Sequence, residues 1–123
     1  MTNDPGAEVV ARWKIQLHKG VFEFTVLLLL RGGPSYGYEL MAQLRDALGI
    51  DTVEGTIYPL LRRVRDDGLV TSKWEEPSKG MPRKYYEITP LGRSVVQRMS
   101  AVWIETSSRI GRLAERKKVN ARP

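Results

Sequence analysis

The segment Val53–Val64 has the pattern of one short helix with two chemically opposite faces. Its apolar residues recur at the helical interval and form a stripe that must be buried. The stripe consists of Ile57, Leu60, Leu61 and Val64. The other face carries a hydroxyl, a phenol and two guanidinium groups, on Thr56, Tyr58, Arg62 and Arg63. Such groups donate to phosphate oxygens and base edges, so the segment fits a DNA-docking helix. Taken alone, the pattern favours plain packing, since most surface helices share it.

The charge balance of the chain points to an anionic partner. Of its 123 residues, 20 are Lys or Arg and 14 are Asp or Glu, which leaves a formal net charge of +6. This length suits one domain with its own core. A basic domain of this kind is typical of proteins that bind nucleic acid.

The sequence offers little to catalysis. It contains no cysteine, which excludes disulfides, thiolate metal sites and a cysteine nucleophile. His18 is the only histidine, and it stands before Lys19 at an expected helix end. Neither a nucleophile elbow nor a phosphate-binding glycine loop is present. We therefore expect no enzyme activity, no metal ion and no cofactor.

The apolar run Val21–Leu30 predicts a buried core helix. Glu23 interrupts it, and it is shorter than the roughly 20 residues that span a bilayer. It also lacks the short basic leader of a signal peptide. We expect a cytoplasmic protein without membrane contact.

Two helices are predicted before the first loop. Asp4 and Pro5 can cap and start the first one. Gly20 is expected to end or bend it, and a core helix at about 21–31 follows.

A third helix is predicted to begin with Ser35 as its cap and to end at Gly49. Its inner stripe consists of Leu40, Met41, Leu44 and Leu48. A few turn residues then lead into the 53–64 helix, which is the spacing of a helix-turn-helix.

Pro59 leaves two starting points open for the 53–64 helix. Either Asp51 or Thr52 is the cap and Gly55 gives the backbone room near the proline, or Thr56 is the cap and Pro59 lies in the first turn. Both alternatives place Thr56 near the helix N-terminus, the end that usually enters the major groove.

A basic hairpin is predicted after Gly68. The run 69–75 is strand-like, 77–82 is rich in turn residues, and 83–88 is extended again. The tip of this hairpin carries Lys79, Arg83 and Lys84. A basic hairpin beside a helix-turn-helix is a wing.

A long C-terminal helix is predicted over 90–118, with Thr89 as cap and Pro90 at its first position. Its apolar stripe has little of the domain left to pack on, so we expect it to bury against a second copy together with the N-terminal helix. The expected interface consists of Trp13, Leu17, Val95, Met99, Val102, Trp103, Ile110 and Leu113. Residues 119–123 are expected to fray.

The order and spacing of several motifs resemble the PadR family of bacterial transcriptional regulators across nearly the whole chain. The motifs are Lys19-Gly20, Leu27–Leu30, Tyr36–Leu40, Glu54–Arg63, Asp67–Val70 and Pro82–Tyr86 with Thr89 and Gly92. The resemblance implies a winged helix-turn-helix dimer that binds a pseudo-palindromic operator, usually as a repressor, and often releases it when a small molecule binds.

The resemblance also implies a place for such a molecule. In some shorter members of this family, a flat aromatic or drug-like compound sits between tryptophans of the C-terminal helices, and Trp103 stands at the corresponding position. A tryptophan on an apolar stripe is also common as interface core. Trp74, on the first wing strand, could pack near the same cavity.

The expected architecture is mainly α with a small β-hairpin. Residues 1–89 form a winged helix-turn-helix DNA-binding domain with an N-terminal helix, 90–118 form the dimerisation helix, and 119–123 form a tail. The expected DNA contacts are Tyr36, Gly55, Thr56, Tyr58, Arg62, Lys79, Arg83 and Lys84. The alternative is a winged-helix interaction module whose basic face meets an acidic protein.

Overall fold

The chain folds into four helices and three short strands within the residues that the computed structural model describes, namely 4–49, 51–76 and 80–116. The elements in chain order are α1 (Pro5–Leu30), β1 (Ser35–Tyr36), α2 (Gly37–Leu48), α3 (Glu54–Asp66), β2 (Val70–Glu75), β3 (Arg83–Ile88) and α4 (Pro90–Ala114). The predicted fold class is confirmed. None of the described helices combines the length and apolar composition that a bilayer crossing requires.

Helix α1 runs through Gly20 without a break, so the prediction of two separate helices before the first loop is wrong. A single glycine costs a helix only ~1 kcal/mol relative to alanine, which good helix formers on both sides can offset. The predicted start is confirmed, because Oδ1 of Asp4 accepts hydrogen bonds from the backbone N–H groups of Gly6 at 2.9 Å and Ala7 at 3.2 Å.

Helix α2 begins later than predicted, and its N-cap is Tyr36 instead of Ser35. Ser35 belongs to a two-residue strand, β1, which is too short to show a periodic pattern in the sequence. The backbone N–H of Tyr36 donates to Oε1 of Glu39 at 3.0 Å and thereby replaces a side-chain cap. Gly49 ends the helix in the left-handed conformation, with φ at 73°.

Helix α3 begins at Glu54 with Val53 as its N-cap, so none of the three predicted caps is correct. The carbonyl of Val53 accepts from the N–H groups of Thr56 and Ile57, at 2.9 and 3.1 Å. Pro59 therefore lies inside the helix, beyond its first turn. Proline has no backbone N–H, so the carbonyl of Gly55, four residues back, loses its usual helical hydrogen-bond donor.

The wing is the pair of strands β2 and β3, as predicted, and β1 extends it to a three-stranded antiparallel sheet with the order β1-β3-β2. Register aligns Val70 with Ile88 and Trp74 with Lys84. The first pair is buried in the core, whereas the second lies farther out along the hairpin.

Helix α4 starts at the cap predicted for it. The hydroxyl of Thr89 accepts from the N–H of Gly92 at 2.9 Å and donates to the carbonyl of Gly68 at 2.7 Å. The helix ends at Ala114, short of the predicted residue 118; residues 117 and 118 lie outside the described part, as does the predicted tail at 119–123.

Two stretches of helix stand clear of the protomer core. Residues 5–17 of α1 are all exposed, and of residues 101–114 in α4 only Ser107 and Gly111 are half-buried. We call these stretches the N-terminal arm and the C-terminal arm.

Candidate nucleic-acid interface

Helix α3 has the two faces that its sequence predicts. Its apolar stripe is buried, with Ile57, Leu60, Leu61 and Val64 all in the core. On its outer side Tyr58, Arg62 and Arg65 follow one another at intervals of four and three residues, which places them on one face. This face looks toward the wing.

Between α3, the start of α2 and the wing lies an open cleft of about 630 Å³, which we call the wing cleft. Its aromatic lining consists of Tyr36, Tyr38, Tyr58, Trp74 and Tyr86. Its cationic lining consists of Arg62, Arg65, Arg83 and Lys84. No acidic side chain is among the described residues that line it. A cleft with this lining attracts anions.

Two of these groups, Trp74 and Lys84, face the cleft because successive side chains of a strand point to opposite faces of the sheet. Val70 and Ile88 fill the core, and the next inward pair along the hairpin is Ser72 and Tyr86. The pair after that, Trp74 and Lys84, has the same orientation but lies farther along the wing. The Lys84 ammonium lies 5.8 Å from the centre of the indole ring. The wing thus extends an aromatic ring and a cation over the side of α3.

Tyr36 is held at the edge of the cleft by its neighbours. Its ring meets that of Tyr85 edge to face, with 5.6 Å between the centres. The guanidinium carbon of Arg83 lies 4.6 Å from the centre of the Tyr36 ring, within cation–π range. Arg83 is therefore oriented by an aromatic face and remains exposed.

Tyr58 is half-buried because α2 begins directly beneath its ring. A Cβ atom placed on Gly37 would lie 2.7 Å from both Cε1 and Cζ of Tyr58, and nearer still to its hydroxyl oxygen. Only glycine leaves room for this ring. Burial raises the pKa of Tyr58, and the neighbouring charges of Glu54 and Tyr38 raise it further.

Tyr86 is a second phenol that stays protonated at neutral pH. Burial, followed by the nearby Tyr58, raises its pKa, while Arg65 and Arg62 act in the opposite direction. A protonated phenol keeps its O–H donor. Of the two adjacent tyrosines on β3, Tyr86 is buried and Tyr85 is half-buried.

The structure brings together five of the predicted DNA contacts in the wing cleft: Tyr36, Tyr58, Arg62, Arg83 and Lys84. Gly55 and Thr56 lie at the N-terminal end of α3, outside the lining of the cleft, and are exposed and half-buried respectively. Lys79 lies outside the described residues.

Besides the small residues Gly37 and Pro82, sequence reasoning missed three residues of the cleft, Tyr38, Arg65 and Tyr86, and it placed Trp74 elsewhere. Arg65 follows Arg62 at a helical interval that could have identified it. Trp74 was expected near the Trp103 cavity, but within the protomer it lines the wing cleft instead. The position of Trp74 on a wing strand could be predicted from the sequence, but the helix that lies opposite this strand could not.

A second cavity lies between α1 and α4, on the side of Trp103. We call this space of about 690 Å³ the aromatic hollow. Its lining is mostly apolar and includes Leu17, Phe24, Val95, Met99, Val102 and Trp103. The rings of Phe24 and Trp103 are 6.4 Å apart, tilted by 46°. Unlike the wing cleft, the hollow carries both signs of charge, on Glu23 and Arg98.

Comparison with known proteins identifies this arrangement. Residues 26–98 match the model of the transcriptional regulator PadR-like family. A PadR family transcriptional regulator from Eggerthella lenta has a similar structure, with a TM-score of 0.81 and 35% identity over 90% of this chain and 96% of that one. A PadR-like transcriptional regulator from Bacillus cereus matches with a TM-score of 0.76 and 32% identity, over 83% of this chain and 99% of that one.

A curated relative is more distant in sequence. The negative transcriptional regulator PadR of Bacillus subtilis is 28% identical over 75 residues, which are 59% of this chain and 41% of that protein. The chain thus matches about two fifths of that regulator's length. The family match covers both the helix-turn-helix and the wing, whose outer faces form the basic cleft described above. The chain belongs to the PadR-like family of transcriptional regulators, a family of DNA-binding proteins and not of enzymes.

Proposed function

We propose that this protein is a homodimeric repressor that binds a pseudo-palindromic operator and releases it when a flat aromatic compound binds between its helical arms. Each protomer inserts α3 into the major groove, and the wing holds the neighbouring backbone. The observation that carries the proposal is the wing cleft, in which four cations from α3 and β3 converge beside the exposed side of a recognition helix.

In this proposal the N-terminal end of α3 contacts the DNA bases, and the later part of α3 contacts the DNA backbone together with the wing. Gly55 is exposed, and no heavy atom lies within 4 Å of a Cβ built on it, so the helix backbone there can approach DNA closely. Thr56 follows it and can reach base edges. Arg62, Arg83 and Lys84, farther along the cleft, supply the salt-sensitive part of the affinity.

The test of DNA binding is a mobility-shift titration with the DNA upstream of the protein's own gene, repeated at several salt concentrations. Arg83→Ala should weaken binding to every duplex and lower the slope of log affinity against log salt by about 0.9 for each phosphate that this cation neutralises. The matched control is Lys73→Ala, on the outer face of β2, which removes the same charge outside the cleft. If Arg83→Ala leaves the salt slope unchanged, Arg83 does not contact a phosphate and its assignment is wrong. Binding to an acidic protein in place of any duplex favours the alternative interaction module.

Two exposed helical arms support the homodimer. Trp13 is 60% exposed on the N-terminal arm, and Ile110 and Leu113 are 58% and 62% exposed on the C-terminal arm. Large apolar side chains exposed along one stripe of a helix mark a surface that binds a partner. A second copy, related by a two-fold axis, would cover these arms and space the two recognition helices for adjacent half-sites.

The remaining predicted interface residues lie along the same side. Leu17, Val102 and Trp103 are exposed, while Val95 and Met99 are half-buried against the core and also line the aromatic hollow. The hollow would therefore open directly onto the partner.

Sedimentation velocity tests the dimer. Ile110→Asp places a carboxylate in the proposed interface and should give monomers, because an unpaired charge is costly to bury. Met81→Asp, at a wing residue that is 79% exposed, is the control and should sediment like the parent protein. A monomeric parent, or an Ile110→Asp variant with unchanged sedimentation, contradicts the proposal.

The aromatic hollow supports the ligand-release step. Its apolar lining and the paired rings of Phe24 and Trp103 suit a flat aromatic compound. To release DNA, the compound must bind more tightly to the arrangement of recognition helices that fits the operator poorly.

Tryptophan fluorescence tests this step with a panel of planar aromatic compounds. A true effector should quench the emission of the parent protein and of a Trp74→Phe variant, should fail to do so with Trp103→Phe, and should weaken operator binding. Quenching without a change in operator affinity contradicts ligand release by that compound.

A further inference from the structure

We infer that the wing cleft is the dock for one sugar–phosphate strand of the bound duplex, and that Trp74, Tyr38 and Arg65 contact DNA there. This inference rests on the proposed DNA binding and adds both residues and a class of contact to it. It also gives Trp74 a role separate from the aromatic hollow.

The position of Trp74 is the first argument. The indole is 67% exposed although it lies on the inward face of the wing, whose earlier residues fill the core. It follows Val70 and Ser72 at the alternating interval, so the strand carries it beyond the core to the side of α3. Among the residues that the structure describes, this large apolar ring beside the recognition helix is not part of the hydrophobic core.

The lining of the cleft is the second argument. Cations bind phosphates, and an exposed aromatic ring beside them offers apolar surface that can pack against deoxyribose, so a cleft lined by both suits a sugar–phosphate strand. Lys84 stands over the Trp74 ring, and Arg65 lines the same cleft from α3. The side chain of Arg65 is only 37% exposed, and its ion pair with the exposed Asp66 is a long one, at 3.7 Å.

The dimensions of DNA supply the third argument. A helix with its side chains is about 10–12 Å across, close to the ~12 Å width of the major groove. A helix seated in that groove therefore has a backbone strand along each side. On the side of Tyr58, Arg62 and Arg65, the space beside α3 is the wing cleft, so a flanking strand must pass through it.

Affinity measurements on two duplexes test the inference, one from upstream of the protein's own gene and one of the same length and composition with shuffled sequence. Trp74→Ala should weaken binding to both duplexes by a similar factor of about fivefold or more, the loss expected when part of an apolar ring is no longer buried against the strand. The salt slope should stay unchanged because no charge is removed. Trp74→Phe should recover most of the loss.

Arg65→Ala gives the complementary result. It should weaken binding and lower the salt slope by about 0.9 per phosphate contact. Lys73→Ala, with the same charge loss on the outer face of the wing, should leave the slope unchanged.

Urea unfolding of Trp74→Ala should match the parent protein, since the side chain is exposed.

The outcomes distinguish the inference from the proposed function. If the parent protein binds neither duplex, the proposed function fails. If the parent protein binds while Trp74→Ala and Arg65→Ala bind equally well, only the docking cleft is refuted. If these variants keep duplex affinity, and ATP quenches the tryptophan emission of the parent protein but not that of Trp74→Ala, the cleft is a site for small anions, which also overturns the inference.

Discussion

The contact between Gly37 and Tyr58 gives a prediction about how the recognition helix is positioned. In Gly37→Ala, the new Cβ would lie 2.7 Å from two ring atoms of Tyr58. Ordinary carbon contacts lie at about 3.5–4.0 Å, so the ring must retreat by roughly 1 Å. Overpacking of this kind costs ~1–3 kcal/mol. The ring is half-buried and can turn toward solvent, which favours the lower end of that range.

A double-mutant cycle isolates this contact. Alanine at position 37 changes the helix propensity of α2 equally in both backgrounds, so the propensity effect cancels. We expect Gly37→Ala to be more costly in the presence of Tyr58 than in a Tyr58→Ala background, by about 1 kcal/mol or more of unfolding free energy. Urea unfolding at fixed protomer concentration measures all four proteins.

The control and the refuting result are equally specific. Gly20→Ala, whose Cβ would meet no heavy atom within 4 Å, should show no coupling to Tyr58→Ala. An equal cost of Gly37→Ala in both backgrounds would show that the glycine is not required by the phenol ring, and the account of how α2 positions Tyr58 would be wrong.

Three further predictions concern other contacts. Gly55→Ala should keep or gain stability, by up to ~1 kcal/mol, yet weaken operator binding by about the cost of one mismatched base pair, ~1–3 kcal/mol; equal operator affinity would refute a close backbone approach. Thr89→Val removes the hydrogen bonds to Gly92 and Gly68 and should cost ~1–2 kcal/mol in urea unfolding; an unchanged midpoint would contradict the cap. Because the folded state raises the pKa of Tyr86, its contribution is complete below about pH 10 and is lost as pH rises further. Tyr86→Phe should therefore lose stability less steeply than the parent protein above that pH, and parallel curves would refute the burial of a neutral phenol.

Periodic patterns in the sequence predicted the parts of the fold that depend on one buried face. The stripe through Ile57 and Leu61 predicted α3, and two strand-like runs around a segment of turn residues predicted the wing. Both patterns end in the same core, where Ile57, Leu61, Val70 and Ile88 are buried. The family resemblance, which the family match confirms, then supplied the regulatory role.

The features that sequence reasoning missed depend on contacts between distant segments. Strand β1 has two residues and exists because Ser35 and Tyr36 pair with β3, far along the chain. Helix α3 is capped by the backbone of Val53, whereas the sequence favoured residues with polar side chains. Trp74 was predicted to lie on the first wing strand, but only the packing of β2 beside α3 shows that it borders the wing cleft.

The most direct test of DNA binding through α3 and the wing is the affinity of the parent protein for its upstream duplex and for the shuffled duplex, measured across a range of salt concentrations. We predict tighter binding to the upstream duplex, and for both duplexes a linear fall of log affinity with log salt, with a slope of about 0.9 per phosphate neutralised. The slope should be reduced by Arg83→Ala and left intact by Lys73→Ala. Equal affinity for the two duplexes, or an affinity that does not change with salt, would contradict DNA binding of this kind.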